Sequence, residues 1–150
     1  MTDYDKFKQL IEEGVPFNKL CGIKLLALEK GMCKLYVPFS PDLLGDTRRR
    51  AYHGGVLSTL IDTCGGFAVW AASGFNDRIS TIDMRVDYLK PAIECSLVAE
   101  AHMKLHGNRV GNVHIVVYAE DNPDHIIAEG RAVYNIRKAT AKDNSETSGT

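Results

Sequence analysis

Two short segments of the sequence carry residue types that could act together on a carbonyl group. In the first, His53 is followed by Gly54 and Gly55 at the start of a long apolar stretch. Glycines let a ligand approach the backbone closely, and the free N–H groups at a helix start favour developing negative charge. Such N–H groups can stabilise an oxyanion. A histidine followed by two glycines is also common in tightly packed turns, so the motif alone leaves both interpretations open.

Asp62 is the second candidate, because it is the only charged residue between Gly54 and Asn76. Aspartate is unfavourable inside a helix, and a carboxylate among apolar residues is costly unless something pairs with it or uses it. It is therefore either a solvated or salt-bridged structural acid, or a catalytic carboxylate. The same helical face carries mostly small side chains, namely Gly55, Ser58, Thr59, Gly65, Gly66 and Val69. A substrate or a partner backbone is expected to approach this face closely.

The spacing of the two candidates limits how they can cooperate. Gly54 and Asp62 are eight residues apart. On one helix that spacing corresponds to about 12 Å along the axis, whereas a base and an oxyanion donor must both reach one carbonyl at about 3 Å. Two helices packed antiparallel across a two-fold axis could bring Asp62 of one chain near Gly54 of another. If both residues are catalytic, the site is composite and the dimer is obligatory.

The apolar periodicity defines the elements that would position these residues. Helical spacing predicts a short N-terminal helix and a long apolar one, and period-two alternation predicts strands in the second half, each with one buried face. The predicted helices are Asp3–Glu13 and Val56–Ala72; the strands are an early hairpin, Ile23–Leu28 with Cys33–Phe39, and later runs over 81–88, 97–105, 113–120 and 126–136. A helix that is apolar on most sides needs a surface that wraps it, and a curved antiparallel sheet supplies one.

Length and composition bound the class of protein. A chain of 150 residues with 45% apolar residues and a net charge of −1 forms one domain with a real core. We expect a single domain over residues 1–138, including an N-terminal helix within 1–15, and a flexible tail over 139–150. Disorder of the whole chain and nucleic-acid binding by bulk charge are both disfavoured.

The cysteines, histidines and hydropathy indicate a cytoplasmic protein without metal. The four cysteines lack zinc-type spacing, and the first residues are polar rather than a secretory leader. The five histidines show no metal-binding spacing. The stretch from Gly54 to Asn76 is long enough to span a bilayer, but Asp62 in its middle favours a buried core helix instead.

Three segments make the sequence recognisable. The run His53–Asp62, the run Ser80–Ala92 and the late segment Ala128–Tyr134 resemble the hotdog-fold acyl-CoA thioesterases of the phenylacetate-pathway (PaaI-like) type. The resemblance covers about Pro16–Arg137. It implies an α+β hotdog fold, in which an antiparallel sheet of five or six strands wraps one long central helix. It also implies a homodimer, often paired again into a homotetramer, and hydrolysis of a thioester with no cofactor beyond the coenzyme A of the substrate.

The resemblance assigns roles to four residues. Asp62 matches the catalytic carboxylate, which acts as general base on water or as nucleophile. The backbone N–H of Gly54 matches the group that polarises the thioester carbonyl. His53 matches the neighbouring histidine, with a structural or carbonyl-side role, and Thr81 falls where relatives have a hydroxyl that helps to position water.

Other residues are candidates for binding the substrate. Gly55 and Ser58 lie on the small-residue face, and the run Arg48–Arg49–Arg50 just before the catalytic segment suits the phosphates of coenzyme A. The run could equally be a solvated loop. Lys90 and Arg109 are further candidates. The sequence departs from the family at Asp46 and Arg50, which stand where relatives often have asparagine and glycine.

Several functions remain to be separated. The leading hypothesis is an acyl-CoA thioesterase acting on an aryl or medium-chain acyl group. A non-catalytic acyl-CoA-binding module is the alternative, although a pure binder has no need for an unpaired acid at Asp62. A hotdog dehydratase, which pairs a histidine with a carboxylate, fits the His53–Asp62 arrangement poorly. A purely structural dimer would leave the small-residue face and the arginines unused.

Overall fold

The computed structural model describes residues 1–147. In chain order the elements are α1 Asp3–Gln9, a π-helical turn Leu10–Gly14, α2 Pro16–Cys21, β1 Lys24–Glu29, β2 Met32–Val37, a 3-10 turn Pro41–Leu43, β3 Leu44–Asp46, β4 Ala51–Tyr52, α3 Gly54–Ser73, β5 Arg78–Tyr88, β6 Leu97–His106, β7 Val110–Ala119, β8 Asn122–Arg137 and α4 Ala141–Thr147.

One antiparallel sheet of six strands carries the long helix α3 on its inner face. The strand order is β1-β2-β6-β7-β8-β5, and β3 pairs with β4 in a separate small ribbon. Alternate residues of β7, including Val113, Ile115 and Val117, are buried beneath α3, whose own Leu60 and Ile61 are buried in return. The predicted α+β hotdog architecture is confirmed, with six strands in the main sheet.

Glycines allow α3 to lie close to the sheet. A Cβ atom at Gly65 would lie 3.1 Å from Cζ of Tyr134 in β8, and one at Gly111 in β7 would lie 3.0 Å from Val69. Part of the small-residue face of α3 is therefore occupied by the chain's own sheet. The expectation that a substrate or partner approaches the whole face is wrong for Gly65 and Val69, which are buried.

The strand β5 differs from its sequence prediction. It forms one edge of the sheet and pairs only with β8. Its register shifts between Thr81 and Asp83, so Ile82 is bulged and 58% exposed, and Tyr88 is 55% exposed. Of the predicted apolar face over 81–88, Met84 and Val86 are partly buried against the core, whereas the prediction is wrong for Ile82 and Tyr88 in the single chain. An edge strand of eleven residues with exposed apolar side chains is a surface suited to pairing with another chain.

The N-terminal helix is divided into shorter pieces. The prediction of one helix over Asp3–Glu13 is met by α1 followed by the π-helical turn, and the chain then forms α2. Val15 is extended, and Pro16 then occupies the first turn of a new helix, α2, where proline is favoured because the N–H that it lacks has no partner within the helix.

The long helix also begins earlier than expected, at Gly54 rather than Val56. By length and composition α3 could cross a membrane. Its buried residues, among them Leu57, Cys64 and Ala68, instead pack into the core beneath the sheet.

The chain after β8 is attached to the C-terminal end of α3. The buried carboxylate of Asp77 accepts hydrogen bonds from the hydroxyl of Ser73 and from the backbone N–H of Ala139, at 2.7 Å for the latter. Burial opposes the charged form, but these bonds together with Lys138 lower the pKa of Asp77. The short helix α4 stands where a tail without secondary structure was expected, and its flexibility stays a prediction. Residues 148–150 of that segment lie outside the described residues.

The contact between Gly65 and Tyr134 gives a test of helix–sheet packing. We expect Gly65→Ala to lower the free energy of unfolding by about 1–3 kcal/mol, because its methyl group would press on the buried Tyr134 ring. Gly66→Ala is the matched control, since a Cβ atom there would make an ordinary 3.4 Å contact with the same ring. Alanine is the better helix former, so this control should be neutral or stabilising. Urea denaturation of both variants measures the difference, and equal effects would contradict the packing argument.

Candidate active site

The start of α3 is held in place by the residue that precedes it. The backbone N–H of His53 donates to the carbonyl of Leu43 at 3.0 Å, and its Nδ1 accepts the N–H of Gly55 at 2.8 Å. The histidine is therefore the N-cap of the helix, with its ring proton on Nε2. Gly45 packs directly against it, since a Cβ there would lie 2.7 Å from the His53 Cα. This network fixes the first turn of α3.

The N–H of Gly54 is left free by this arrangement. It precedes the first hydrogen-bonded turn and has no acceptor within residues 1–147. Tyr88 lies over the same glycine, and its hydroxyl donates to the Gly54 carbonyl at 3.4 Å. A free backbone donor at the positive end of a helix of twenty residues can polarise a carbonyl oxygen.

Asp62 and Thr81 form a hydrogen-bonded pair at the junction of α3 and β5. The Thr81 hydroxyl donates to Oδ1 of Asp62 at 2.7 Å, and Asp62 Oδ2 has no donor in the described part of the chain. No lysine, arginine or histidine of residues 1–147 forms an ion pair with Asp62. The interpretation of Asp62 as a salt-bridged structural acid therefore does not hold within the chain.

The backbone beneath Asp62 is fixed by a buried tyrosine. The Tyr134 hydroxyl donates to the Asp62 carbonyl oxygen at 2.8 Å, and burial raises the pKa of Tyr134 far above its usual range. The tyrosine is thus a permanent neutral donor. Sequence reasoning assigned no role to Tyr134; the signal for it was the glycine pair Gly65–Gly66, which makes room for its ring.

The Asp62–Thr81 pair borders a cavity of about 260 Å³, here called the Asp62 cavity. Its apolar walls include Phe67, Trp70 and Ile79. Phe67 is buried and stacks on Trp70 with ring centroids 5.4 Å apart. A carboxylate with an oriented hydroxyl at an apolar opening can accept a proton from a water molecule.

Gly54 borders a different cavity of about 490 Å³, here called the Gly54 cavity, which His53, Tyr88, Arg49 and Lys90 also line. The two cavities have no lining residue in common. The structure therefore does not bring the two main catalytic candidates together within one chain. This agrees with the spacing argument, in which one site needs two chains if both residues are catalytic.

Two arginines of the run, Arg49 and Arg50, form ion pairs within the chain. Asp46 accepts the backbone N–H groups of Arg48 and Arg49 and the Arg49 guanidinium at 2.9 Å, and these hydrogen bonds lower the pKa of its carboxyl group. Arg50 has a positive φ of 54°, forms an ion pair with Glu94, and lies 5.4 Å from the centre of the Phe39 ring. The two residues that depart from the family pattern thus order this loop.

The remaining candidates lie in three places. Gly55 and Ser58 line a groove on the other side of the helix start, where the Ser58 hydroxyl donates to the Gly55 carbonyl at 3.1 Å. Lys90 lines the Gly54 cavity. Arg109 lies in the β6–β7 turn, where its carbonyl accepts the N–H of Ile136, and it borders none of the cavities described here. No three potential metal ligands converge in the described part of the chain.

A long helix wrapped by an antiparallel sheet, with a carboxylate on the helix bonded to a hydroxyl on the sheet, fits the class of hotdog-fold thioester hydrolases. The sequence profile of the Thioesterase superfamily matches residues 51–125, and this chain belongs to that family. The matched segment contains His53, Gly54, Asp62 and Thr81.

Individual relatives agree with this membership. The medium/long-chain acyl-CoA thioesterase YigI of Salmonella typhimurium is 27% identical over 135 residues, which are 81% of this chain and 86% of the relative. A crystal structure from the thioesterase superfamily is 31% identical, with a TM-score of 0.80 over 88% of this chain and 97% of that one. The Escherichia coli PaaI protein from the phenylacetic acid degradation operon shares the fold, with a TM-score of 0.76 at 20% identity over 87% of this chain and 90% of its own.

The free donor at Gly54 can be removed without disturbing the helix. His53 has φ −61° and ψ 134°, the conformation that a residue before proline adopts, and proline is well tolerated at the first helical position. We expect Gly54→Pro to lower kcat/KM for a thioester by about 10²–10³-fold, the cost of losing an oxyanion donor.

Gly54→Ala is the matched control for that variant. It keeps the N–H, and its Cβ atom would make only a 3.4 Å contact with Tyr88. We expect its activity to stay within a few-fold of wild type, and circular dichroism should show both variants folded. Full activity in a folded Gly54→Pro protein would exclude the donor role.

Proposed function

We propose that this protein is an acyl-CoA thioesterase that hydrolyses an aryl or medium-chain acyl-CoA to coenzyme A and a carboxylic acid. The observation that carries the proposal is the Asp62–Thr81 pair, which has no cationic partner in the described chain and borders an apolar cavity. A module that only binds acyl-CoA gains nothing from an unpaired carboxylate at that position.

The geometry suggests how the carboxylate acts. Thr81 occupies Oδ1 of Asp62, so Oδ2 remains to accept a proton from water. The water oxygen attacks the thioester carbonyl carbon, the C–S bond breaks, and the departing thiolate takes up the proton that Asp62 accepted. We assign Asp62 as the general base, Thr81 as the residue that orients it and the attacking water, and His53 as the structural cap.

The carbonyl oxygen acquires negative charge in this step. We assign the free N–H of Gly54 to stabilise that charge, supported by the dipole of α3. The donor and the base of one chain are about 12 Å apart along the helix. One complete site is therefore proposed to combine Asp62 of one protomer with Gly54 of the partner subunit.

The edge strand β5 supports a homodimer as the active form. Asp62 touches Thr81 near one end of this strand, and Gly54 touches Tyr88 at its other end. If two β5 strands pair antiparallel, the Thr81 end of one protomer lies beside the Tyr88 end of the other. Such pairing would also cover the exposed Ile82. We also propose that two dimers associate into a tetramer.

The coenzyme A moiety is proposed to bind through cationic side chains near Gly54. Lys90 lines the Gly54 cavity, and Arg48 is exposed in the adjoining loop, with no ion pair within residues 1–147. Arg49 and Arg50 form the ion pairs that hold the loop carrying Arg48. Arg109 would have to act from a partner subunit. No cofactor is required beyond the substrate's own coenzyme A. We also propose a cytoplasmic location, with which four free cysteines are compatible.

Thiol release from a panel of aryl and aliphatic acyl-CoAs tests the proposal. We expect Asp62→Asn to lower kcat by at least about a hundredfold, the scale of losing a general base. Thr81→Val should lose about tenfold, the cost of one hydrogen bond to a charged group, and Thr81→Ser should restore activity because it keeps the hydroxyl. Asp124→Asn, at the exposed start of β8, is the matched charge control.

Two results would overturn the assignment. Undiminished activity of Asp62→Asn would exclude Asp62 as the base. Tight binding of acyl-CoA by the wild-type protein without release of thiol would identify the non-catalytic binding module instead.

A further inference from the structure

An apolar groove lies beside the start of α3, on the side away from the Gly54 cavity. Its volume is about 700 Å³. Its walls come from α2, the segment that leads into β3, and the first turns of α3, and they include Phe17, Leu20, Leu43, Leu44, Val56 and Ser58. We call it the Phe17 groove.

The two side chains from α2 face this groove although they are solvent-exposed. Phe17 is 55% exposed and Leu20 is 77% exposed, whereas Asn18 and Cys21 of the same helix are buried. Single exposed apolar residues are common on protein surfaces. Here two large ones border the same groove as Leu43 and Val56, and a contiguous apolar concavity indicates a site for an apolar ligand.

The groove and the Gly54 cavity have opposite chemical character. His53 lines both, so the first turn of α3 separates them. The Gly54 cavity is lined by Lys90 and by the ion pair of Arg49 with Asp46, so its net charge is positive, while the only charged residue lining the groove is Asp42. An acidic group at its rim disfavours phosphate, so the groove does not suit the nucleotide part of coenzyme A.

We infer that the Phe17 groove holds the aliphatic acyl chain of the substrate, and that Phe17 and Leu20 set the preference for chain length. The inference rests on the proposed function and narrows its substrate class to straight acyl chains of medium or greater length. The thioester then lies at the first turn of α3, next to the Gly54 N–H, with the coenzyme A phosphates on the Lys90 side. The charge on each side of that turn matches the part of the substrate assigned to it.

If the groove receives the acyl chain, kcat/KM of the wild-type enzyme depends on the length of that chain. Each methylene transferred from water to an apolar wall favours binding by about fourfold. The value of kcat/KM should therefore rise with chain length from butanoyl-CoA until the groove is filled. A groove that does not receive the chain produces no such rise.

The test compares dodecanoyl-CoA with butanoyl-CoA in the wild type and in the double variant Phe17→Gln, Leu20→Gln. Both side chains are exposed and glutamine is a good helix former, so the fold should be preserved. We expect the ratio of kcat/KM for the two substrates to fall at least about tenfold in the variant, from loss of apolar contact with the chain. Leu105→Gln is the matched control, because Leu105 is 60% exposed at the far end of β6, and the ratio should not change.

The outcomes separate this inference from the function on which it rests. If the wild type hydrolyses neither substrate, the proposed function fails. If it hydrolyses both and the double variant keeps the wild-type ratio, only the groove assignment fails. If sedimentation shows that the double variant is a smaller assembly than the wild type, the groove is an interface between copies of the chain and the assignment is overturned.

Discussion

The close packing of α3 against the inner face of the sheet is the contact on which the rest of the structure depends. Because Gly65 and Gly111 leave room for Tyr134 and Val69, the apolar side of the helix is buried against the sheet of its own chain. The less buried residues of the helix, Asp62 among them, are thereby held at fixed positions. The Tyr134 hydroxyl holds the carbonyl of Asp62, so one contact serves both the core and the proposed base.

The same rigidity keeps Gly54 and Asp62 of one chain apart. A straight helix of twenty residues cannot bend its start toward its middle, so Gly54 and Asp62 open into separate cavities. The strand β5 connects these two places, with Thr81 beside the carboxylate and Tyr88 over the glycine. In the proposed dimer, pairing of the two exposed β5 edges would complete the site in the same step.

Much of this could be predicted from the sequence because the decisive signals are local. The helical spacing of the apolar residues, the lone Asp62 and the glycines after His53 each restrict the backbone or the burial of their own neighbourhood. The predictions failed where tertiary context decides. Alternation along β5 predicted a buried face, but the burial of Ile82 depends on what lies beyond the edge of the sheet. The helix α2 that begins at Pro16, and with it the Phe17 groove, depends on packing that no short pattern encodes.

The central claim is that one active site takes Asp62 and Gly54 from different protomers. Its most direct test is to co-express Asp62→Asn and Gly54→Pro chains, each nearly inactive alone, and to measure thioester hydrolysis by the mixed protein. In a mixed dimer one of the two sites would have both wild-type groups, so random pairing predicts about a quarter of wild-type activity. If the mixed protein contains heterodimers and is no more active than the separate variants, the composite site is contradicted.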